Sequence, residues 1–533
     1  MFFTRKKRRL AELEKSFGQI KTEGFNFDYI GRYFSKKENG DAFQVISNQT
    51  CEDLDFDLFF RFIDRTTSKV GQQYLYNELR AININSSKTE NREKILQYLQ
   101  TNPDKRKEIQ HLLNKLNTSK AYFIPDLFQK ELNEKPKWFF IVPLLSFFAF
   151  LTAFLSFFNS SYAIFLFILF PIHVFFHYVL KLKVNLIIDS IPQLLTLNYI
   201  SKKIIKDNYI ASFFEDRKSS IQKIDKIKSR FFIFKSERTF ADDMNVIKLF
   251  ILENIRILFL IEPILSFSAA DKVKNHVKEI EDVFSFVGEL EIILTILSIR
   301  NSVKQFCIPE IKPLLKSIKA GNLFHPLLEN PIANSFESGE KSFLLTGSNM
   351  SGKTTFIRSI GLSCISGMVL NTCFAESFSF PMLKIHSAIR ISDDISSASS
   401  YFLKEVETMK VIIEESDKEQ NNLFLLDELF KGTNTIERIS SAKAILSYLN
   451  KSTNFVFVST HDIELTTLLQ DDYELYYFGE KITKGEINFD YTLKKGVPIS
   501  GNAIKILEMK NFPSVIIEQA NELVEEFTRN KNQ

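Results

Sequence analysis

The sequence predicts a multidomain chain: an α-helical lever and core region carrying a two-helix transmembrane hairpin, followed by an α/β domain on a parallel sheet. Three observations predict it. Residues Trp138–Leu180 contain no Asp, Glu, Lys or Arg. On both sides of that run, apolar residues recur at helical spacing. Beyond about residue 306 the pattern changes to short apolar runs alternating with helices, as a parallel sheet requires. A chain of 533 residues has room for about three or four domains. The expected boundaries are a basic arm over 1–45, the first part of the helical core over 46–135, the hairpin over 136–184, a helical lever region over 185–305 and the α/β domain over 306–533.

Composition narrows the function classes. At 45% hydrophobic and 25% charged residues, most of the chain can fold as globular protein. A net charge of +4 is too small to argue for nucleic acid without a local basic patch. The 54 Phe against 17 Gly fit biased genomic composition plus a membrane segment. Cys51, Cys307, Cys364 and Cys373 are scattered and contain no C-x-x-C pair. They read as buried thiols of a reducing compartment, not as a disulfide frame or zinc site. The seven His form no ligand-spaced cluster. The start, MFFTRKKRRL, is basic but no apolar stretch follows, so it is not a secretory signal. Its KKRR is a solvated tail or a contact for nucleic acid or anionic lipid.

The helical region is read in order. Phe56, Phe59, Phe60 and Ile63 fall at helical spacing; Gly71 is expected to break the pattern, and Tyr74, Leu75 and Leu79 resume it. Asn91 to Leu116 reads as one charged amphipathic helix. The apolar run divides at Asn159-Ser160-Ser161 into about 138–158 and 162–180, each long enough to cross a hydrocarbon core of ~30 Å. Lys135 and Lys137 precede it, Lys181 and Lys183 follow it, and the connecting loop is uncharged. The positive-inside rule puts both flanks in the cytoplasm and the loop outside. Trp138, Tyr162 and Tyr178 fall near the expected interfaces. The competing arrangement is a hairpin buried in a soluble core. His173 and His177, one turn apart, fit a proton relay or an interfacial pair without chemistry. Residues 213–230, with Lys218, Lys223, Lys226, Lys228 and Arg230, present either a solvated or a DNA-contacting face. Asn245 to Leu265 is very apolar, but its Lys, Glu and Arg interrupt it before it could span, so a core helix is expected there.

The α/β domain carries the chemistry. The apolar run Phe343-Leu344-Leu345 leads into GSNMSGKTT, and FIRSIG can start a helix. Gly347, Gly352, Lys353 and Thr354 fit G-x-x-x-x-G-K-[ST], the phosphate-binding loop. Small residues let the backbone curl so that several N–H groups point at one anion, and the next helix offers it a positive N-terminus. The expected nucleotide contacts are therefore Gly347, Ser348, Asn349, Met350, Ser351, Gly352, Lys353, Thr354 and Thr355. Lys353 would reach the β- and γ-phosphates, and the Thr354 hydroxyl would ligate Mg²⁺. NLFLLDE (422–428) is a buried strand ending in two acids: Asp427 for Mg²⁺ and Glu428 as general base for the attacking water. TNFVFVSTH (453–461) is another such strand, and His461 at its end can sense the γ-phosphate. ATP and Mg²⁺ are the expected cofactors, and Glu428, Lys353 and His461 the expected catalytic residues. The domain is thus a P-loop ATPase.

At several separate places the chain resembles the MutS family of mismatch-repair ATPases. TGSNMSGKTTFIRSIG resembles the family's phosphate loop and following basic helix. LLDELFKGTNTIER, with the turn Gly432-Thr433-Asn434-Thr435, resembles its acidic strand end, and STHDIEL its THxxEL. SDDISSASSYFLKEVE (392–407) resembles the signature segment, which implies that Ser400 acts in trans on the partner subunit's nucleotide. Phe324-His325-Pro326 and Pro331-Ile332-Ala333-Asn334 resemble the segments that lie against adenine, which implicates Ile332 and Asn334. IDRTTSKVGQQYLYNEL (63–79) and VGELEIILTILSIRN (287–301) resemble the start and end of the lever helices, and residues 491–523 the closing helix-turn-helix. The likeness covers roughly residues 50–120 and 285–525. It implies an ATP-sandwiching homodimer and, by kinship, DNA as partner. Two departures stand beside it. The mismatch-reading N-terminal domain is expected to be missing, with only about 50 residues before the lever segment, and the membrane hairpin is expected in the place of the helices leading to the DNA clamp. Two spans and the absence of LSGGQ argue against an ABC-type transporter. The expectation is an ATPase on the cytoplasmic (inner) membrane, with both termini and the ATPase domain cytoplasmic. The alternative is a membrane-bound switch or scaffold acting on a protein or lipid partner without DNA.

Overall fold

A computed structural model describes the chain except residues 1–10, 23, 131–133, 228–245, 314, 340, 349, 391–400, 452, 484–485, 499–502 and 532–533. The described chain divides into two compact units. One comprises residues 1–40, 63–80 and 85–302; the other comprises 41–62, 81–84 and 303–533.

The first unit is helical. Its centre is the pair α1 (Lys69–Arg80) and α9 (Val277–Ser302), both almost wholly buried along their facing stretches. The pair packs closely because glycines meet side chains in both directions. A Cβ on Gly71 would lie 2.5 Å from Glu291, and one on Gly288 would lie 2.2 Å from the Tyr74 ring. Gly71 therefore sits inside α1 and does not break it; the break falls at residues 64–68, where Asp64 accepts from the Thr66 amide and hydroxyl. Glu291 accepts the Thr67 and Ser68 amides at 2.7 Å each, occupying donors that the start of a helix leaves free. A buried network closes the same layer: Arg92 binds Glu78 and Glu289, Lys88 binds both carboxylates, and Tyr74 donates to Glu289 at 2.6 Å. Residues 91–116 do not form one helix. Helix α2 (Ser86–Thr101) ends at Asn102, and α3 (Pro103–Leu113) starts afresh with Pro at its first position, where a missing N–H costs nothing.

The apolar hairpin consists of α4 (Ile141–Ser156), preceded by a 3₁₀ turn from Lys137, and α5 (Ala163–Ile204). Asn159 caps the turn between them by accepting from the Ser161 amide. Helix α5 runs on well past Leu180, through Pro192, into the helical unit. Two windows, Lys137–Ser156 and Ser160–Leu182, are long and apolar enough to cross a membrane, and only 17% of each is buried. A hairpin buried in a soluble core would be covered; here Phe157 is 90% exposed and Phe167 79%.

Two further helices depart from the expected single core helix. They are α7 (Val246–Leu258) and α8 (Ile261–Lys274), separated by Leu260 in the left-handed region. Between them and α5 in sequence lies α6 (Glu215–Ile227), packed through Ser220, Ile221 and Ile224. Its Lys223 pairs with Glu279 and its Arg217 with Asp282. Lys228 and Arg230 fall outside the described residues.

The second unit is α/β. A smaller sheet joins Glu310–Ile311, β4 (Ser377–Phe380), β1 (Ile318–Leu323) and β2 (Asn334–Ser338) in that spatial order. The larger sheet has the order β9-β8-β3-β7-β6-β5. Its strands are β3 (Ser342–Thr346), β5 (Lys384–Ala388), β6 (Asn422–Asp427), β7 (Asn454–Ser459), β8 (Tyr473–Thr483) and β9 (Glu486–Lys495). All pairs are parallel except the edge pair β8–β9. Central strands β3 and β7 are buried along their whole length, as a sheet covered on both faces requires. Helices α10 (Lys353–Leu370), α11 (Tyr401–Ser416) and α12 (Thr435–Leu449) follow β3, β5 and β6. Residues 41–62, expected as the end of the basic arm (to 45) and the start of the helical core (from 46), pack in this unit instead. Asp53 accepts from the Ser387 hydroxyl and from the Ile389 and Arg390 amides, and Gln44 pairs with the backbone of Ile385. The chain closes with Ala503–Met509 and Ser514–Lys531, whose Val515, Ile516, Leu523 and Val524 are exposed.

Candidate active site

The site forms where parallel strands end. Strand β3 delivers the chain to Gly347, and the loop to Gly352 turns it into α10. Two glycines make that loop feasible. Gly347 has φ +145° and its Cβ position lies 2.6 Å from the Phe478 carbonyl oxygen; Gly352 has φ +105° and its Cβ position lies 3.2 Å from the Tyr491 ring. The first approach leaves no room for a Cβ, the second is tight, and both φ values strain any residue but glycine. Met350, also at positive φ, points outward and is 83% exposed. Ser351 is buried and its amide bonds the Ser348 carbonyl at 3.3 Å. Ser348 donates to Glu480.

Within the loop, Lys353 Nζ donates to the Gly347 and Ser348 carbonyls at 2.8 and 3.0 Å and lies 3.5 Å from His461 Nε2. Burial lowers its pKa from the ordinary lysine value, against the pull of Asp427 and Glu428. Thr354 Oγ1 donates to Asp427 Oδ2 at 2.7 Å, and Ser459 donates to the other Asp427 oxygen. Adjacent Glu428 takes φ +52°. Its carboxylate sits 2.8 Å from His461 Nε2 and 3.0 Å from Lys431 Nζ. The hydrogen bond with His461, reinforced by Lys431, holds its pKa down to about 2. Ends of three neighbouring strands thus bring Lys353, Thr354, Asp427, Glu428 and His461 together. The hydroxyl–carboxylate pair Thr354–Asp427 offers two oxygen donors suited to a hard divalent cation.

A cleft of about 550 Å³ opens over the loop. Besides Ser348, Met350, Ser351, Gly352, Lys353, Thr354, Thr355 and Glu428, its walls include Phe324, His325, Ile332, Asn334, Phe478 and Tyr491. Ile332 is half exposed and presents an apolar face to the cleft. Asn334 lines the cleft and braces its wall, donating to the Tyr491 carbonyl at 3.0 Å and accepting the Leu493 amide at 2.7 Å. Asn349 and Ser400 lie outside the described residues.

Three features were not read from the sequence. Tyr491, at positive φ, reaches the cleft from β9. Glu405 accepts the Lys431 and Gly432 amides at 3.1 and 3.3 Å, bracing the turn after Glu428. Arg358 on α10 ties the same end of the sheet to residues 41–62, bonding the Asp53 carbonyl at 2.7 Å and Asp55 at 2.9 Å. Only Glu405 carried a signal, as the acid of the signature segment.

Comparison with known proteins supplies the rest. Residues 343–528 match the model of MutS domain V. Over those residues the chain belongs to the MutS family. Among relatives, the DNA mismatch repair protein MutS of Petrotoga mobilis is 34% identical over 275 residues, 48% of this chain and 33% of that protein. MutS protein homolog 4 of Homo sapiens is 29% identical over 294 residues, 52% and 31% respectively. This MutS-family chain therefore spans about a third of the length of those relatives. The matched family segment begins at Phe343 on β3 and takes in the loop, Asp427, Glu428 and His461.

Proposed function

We propose that this MutS-family chain binds and hydrolyses ATP at the cleft over the 347–355 loop, as the motor of a membrane-tethered dimer. The observation that carries the reading is the convergence at one set of strand ends: a lysine ammonium seated in a glycine loop, a Thr–Asp pair, and a carboxylate held by a histidine. Lys353 Nζ already occupies the loop carbonyls and would exchange them for β- and γ-phosphate oxygens. Thr354 and Asp427 would hold Mg²⁺, which when bound neutralises phosphate charge. Glu428 is ionised throughout the physiological range, so it can accept a hydrogen bond from water and orient it. It can take a proton only as bond making acidifies that water, because its own basicity is low. His461 bridges Glu428 and Lys353 and so couples the water side of the site to the phosphate side. The cleft's apolar wall at Ile332 and Tyr491 fits a planar base.

The membrane reading rests on two spans with 17% burial, flanked by Lys135, Lys137, Lys181 and Lys183. It places both flanks, and with them the ATPase, on the cytoplasmic side of the inner membrane. The exposed apolar residues of Ser514–Lys531 fit a second copy of the chain, as the family resemblance implies. DNA enters through the relatives' names and the family; contact would be largely electrostatic and salt-sensitive. A second reading keeps the motor and changes the cargo to a protein or lipid. The hairpin supports it, by standing where the family carries helices toward its DNA clamp. The experiment is the ATPase rate in detergent with and without duplex, mismatched and branched DNA, at low and moderate salt. Stimulation that fades with salt supports DNA as cargo, and a rate indifferent to every DNA supports the second reading.

A further inference from the structure

The described stretches of helices α7 and α8 are each too short to cross a membrane; α8 is largely covered, whereas α7 is too exposed to be core. At 13 and 14 residues each is ~20 Å long, against a hydrocarbon thickness of ~30 Å. Yet α7 exposes Phe250, Ile251 and Ile255, while its other side and the junction pack on the hairpin. Leu260 and Phe267 are buried with Val142 and Leu180, and Trp138, Phe139 and Phe176 pack around them. Phe259 stacks on Phe150 at 4.0 Å between centroids.

The junction is where the backbone breaks, and the hairpin serves that break. His173 Nδ1 donates to the Leu258 carbonyl at 2.5 Å, and Ser146 Oγ donates to the Phe259 carbonyl at 2.6 Å. In water these carbonyls would need no dedicated donor. In hydrocarbon an unsatisfied backbone group costs several kcal/mol, and broken helices occur at depth only where protein covers them. The depth follows from both donors independently. Ser146 lies nine residues beyond Lys137 and His173 eight before Lys181, so each is ~12–14 Å from its cytoplasmic flank, close to the ~15 Å half-thickness of the core. The outgoing helix returns to the same flank. Asp271 near its end pairs with Lys135. Glu262 in its first turn lies 3.4 Å from His177 and 3.6 Å from Lys181, a lysine long enough to reach inward from the flank. Glu253, two residues before Ile255, lies across the helix from it and is itself exposed.

We infer that residues 246–274 form a re-entrant helix pair that enters the bilayer beside the hairpin, turns at mid-depth on Ser146 and His173, and returns to the cytoplasmic side. The pair rests on the hairpin being embedded in lipid. It adds a third lipid-facing element and gives His173, which the sequence left between a relay and no chemistry, a structural task. It also brings the bilayer to the helix that leads directly into α9, the buried partner of α1.

The test uses the chain's single Trp. In a Trp138→Phe background, one Trp is introduced by Ile255→Trp near the turn, Phe147→Trp on the hairpin, or Leu58→Trp on the exposed surface of the α/β unit. The full chain is reconstituted in phosphatidylcholine vesicles with and without lipid brominated at mid-chain. Quenching of Ile255→Trp in step with Phe147→Trp, with Leu58→Trp unaffected, is the expected result. Quenching of Phe147→Trp alone overturns the re-entrant pair and leaves the hairpin in the membrane. Emission unchanged at both overturns the membrane reading and the inference with it. Ile251→Trp on the same face replaces Ile255→Trp should the latter fail to reconstitute.

Discussion

Replacing Gly347 with Ala tests the loop where structure and chemistry meet. The backbone there has φ +145°, and the new Cβ would lie 2.6 Å from the Phe478 carbonyl oxygen. A residue other than glycine held in such a region costs ~1–3 kcal/mol. The oxygen cannot easily retreat, because β8 is paired in register with β3 up to Tyr477 and Thr346; overpacking against fixed atoms costs ~1–3 kcal/mol more. The sum, ~2–6 kcal/mol, exceeds what the loop can absorb in place, so the loop moves. Its Gly347 and Ser348 carbonyls, which hold Lys353 Nζ at 2.8 and 3.0 Å, move with it. Gly347→Ala should therefore weaken a fluorescent ATP analogue by at least about tenfold, since ~1.4 kcal/mol suffices for that. At ~2–4 °C per kcal/mol for a unit of this size, it should also lower the unfolding midpoint. Titration and thermal unfolding of the full chain in detergent read both. Affinity within a factor of about two together with an unchanged midpoint would refute the close approach as the reason for glycine.

Three further outcomes are expected. Glu428→Gln should keep ATP binding and slow single-turnover hydrolysis by about 10²-fold or more; an unchanged rate would remove Glu428 from the reaction. Gly288→Ala gains ~1 kcal/mol of helix propensity but drives a methyl into Tyr74, whose ring is held by Glu289, so the helical unit should lose net stability, and a raised midpoint would contradict the packing. Burial lowers His325 and His386 each to about 4, so the unfolded chain takes up protons before the folded one does. The α/β unit should then be stable above pH 6.5 and lose stability as pH falls toward 4, by at most ~3 kcal/mol per histidine. A His325→Asn, His386→Gln variant should flatten that slope in acid denaturation.

The site was more legible than the packing around it, for a physical reason. A phosphate loop is a local device, and its glycines, lysine and hydroxyl must fall at fixed spacing. The acids of β6 and the histidine after β7 likewise follow from strand ends. Spacing alone makes Gly71 look like a break, because its smallness serves Glu291, far away in sequence. Asp53 gave no hint that it would collect donors from residues 387–390. The turn at Leu258–Leu260 has no Gly, and its one local cue was Pro263 in the first turn of α8, where proline is tolerated. The charges of 246–256 point to one core helix too interrupted to span, whereas the chain breaks at Leu258–Leu260 into two helices. Asn102-Pro103 was readable as a helix restart.

The central claim is that Lys353 and its neighbours turn over ATP. Its most direct test is Mg²⁺-dependent phosphate release by the full chain in detergent, for the unaltered protein and for Lys353→Ala. The account predicts turnover that requires Mg²⁺ and is lost, together with ATP binding, in Lys353→Ala. Turnover that survives the substitution, or an unaltered protein that neither binds nor hydrolyses ATP, would contradict it.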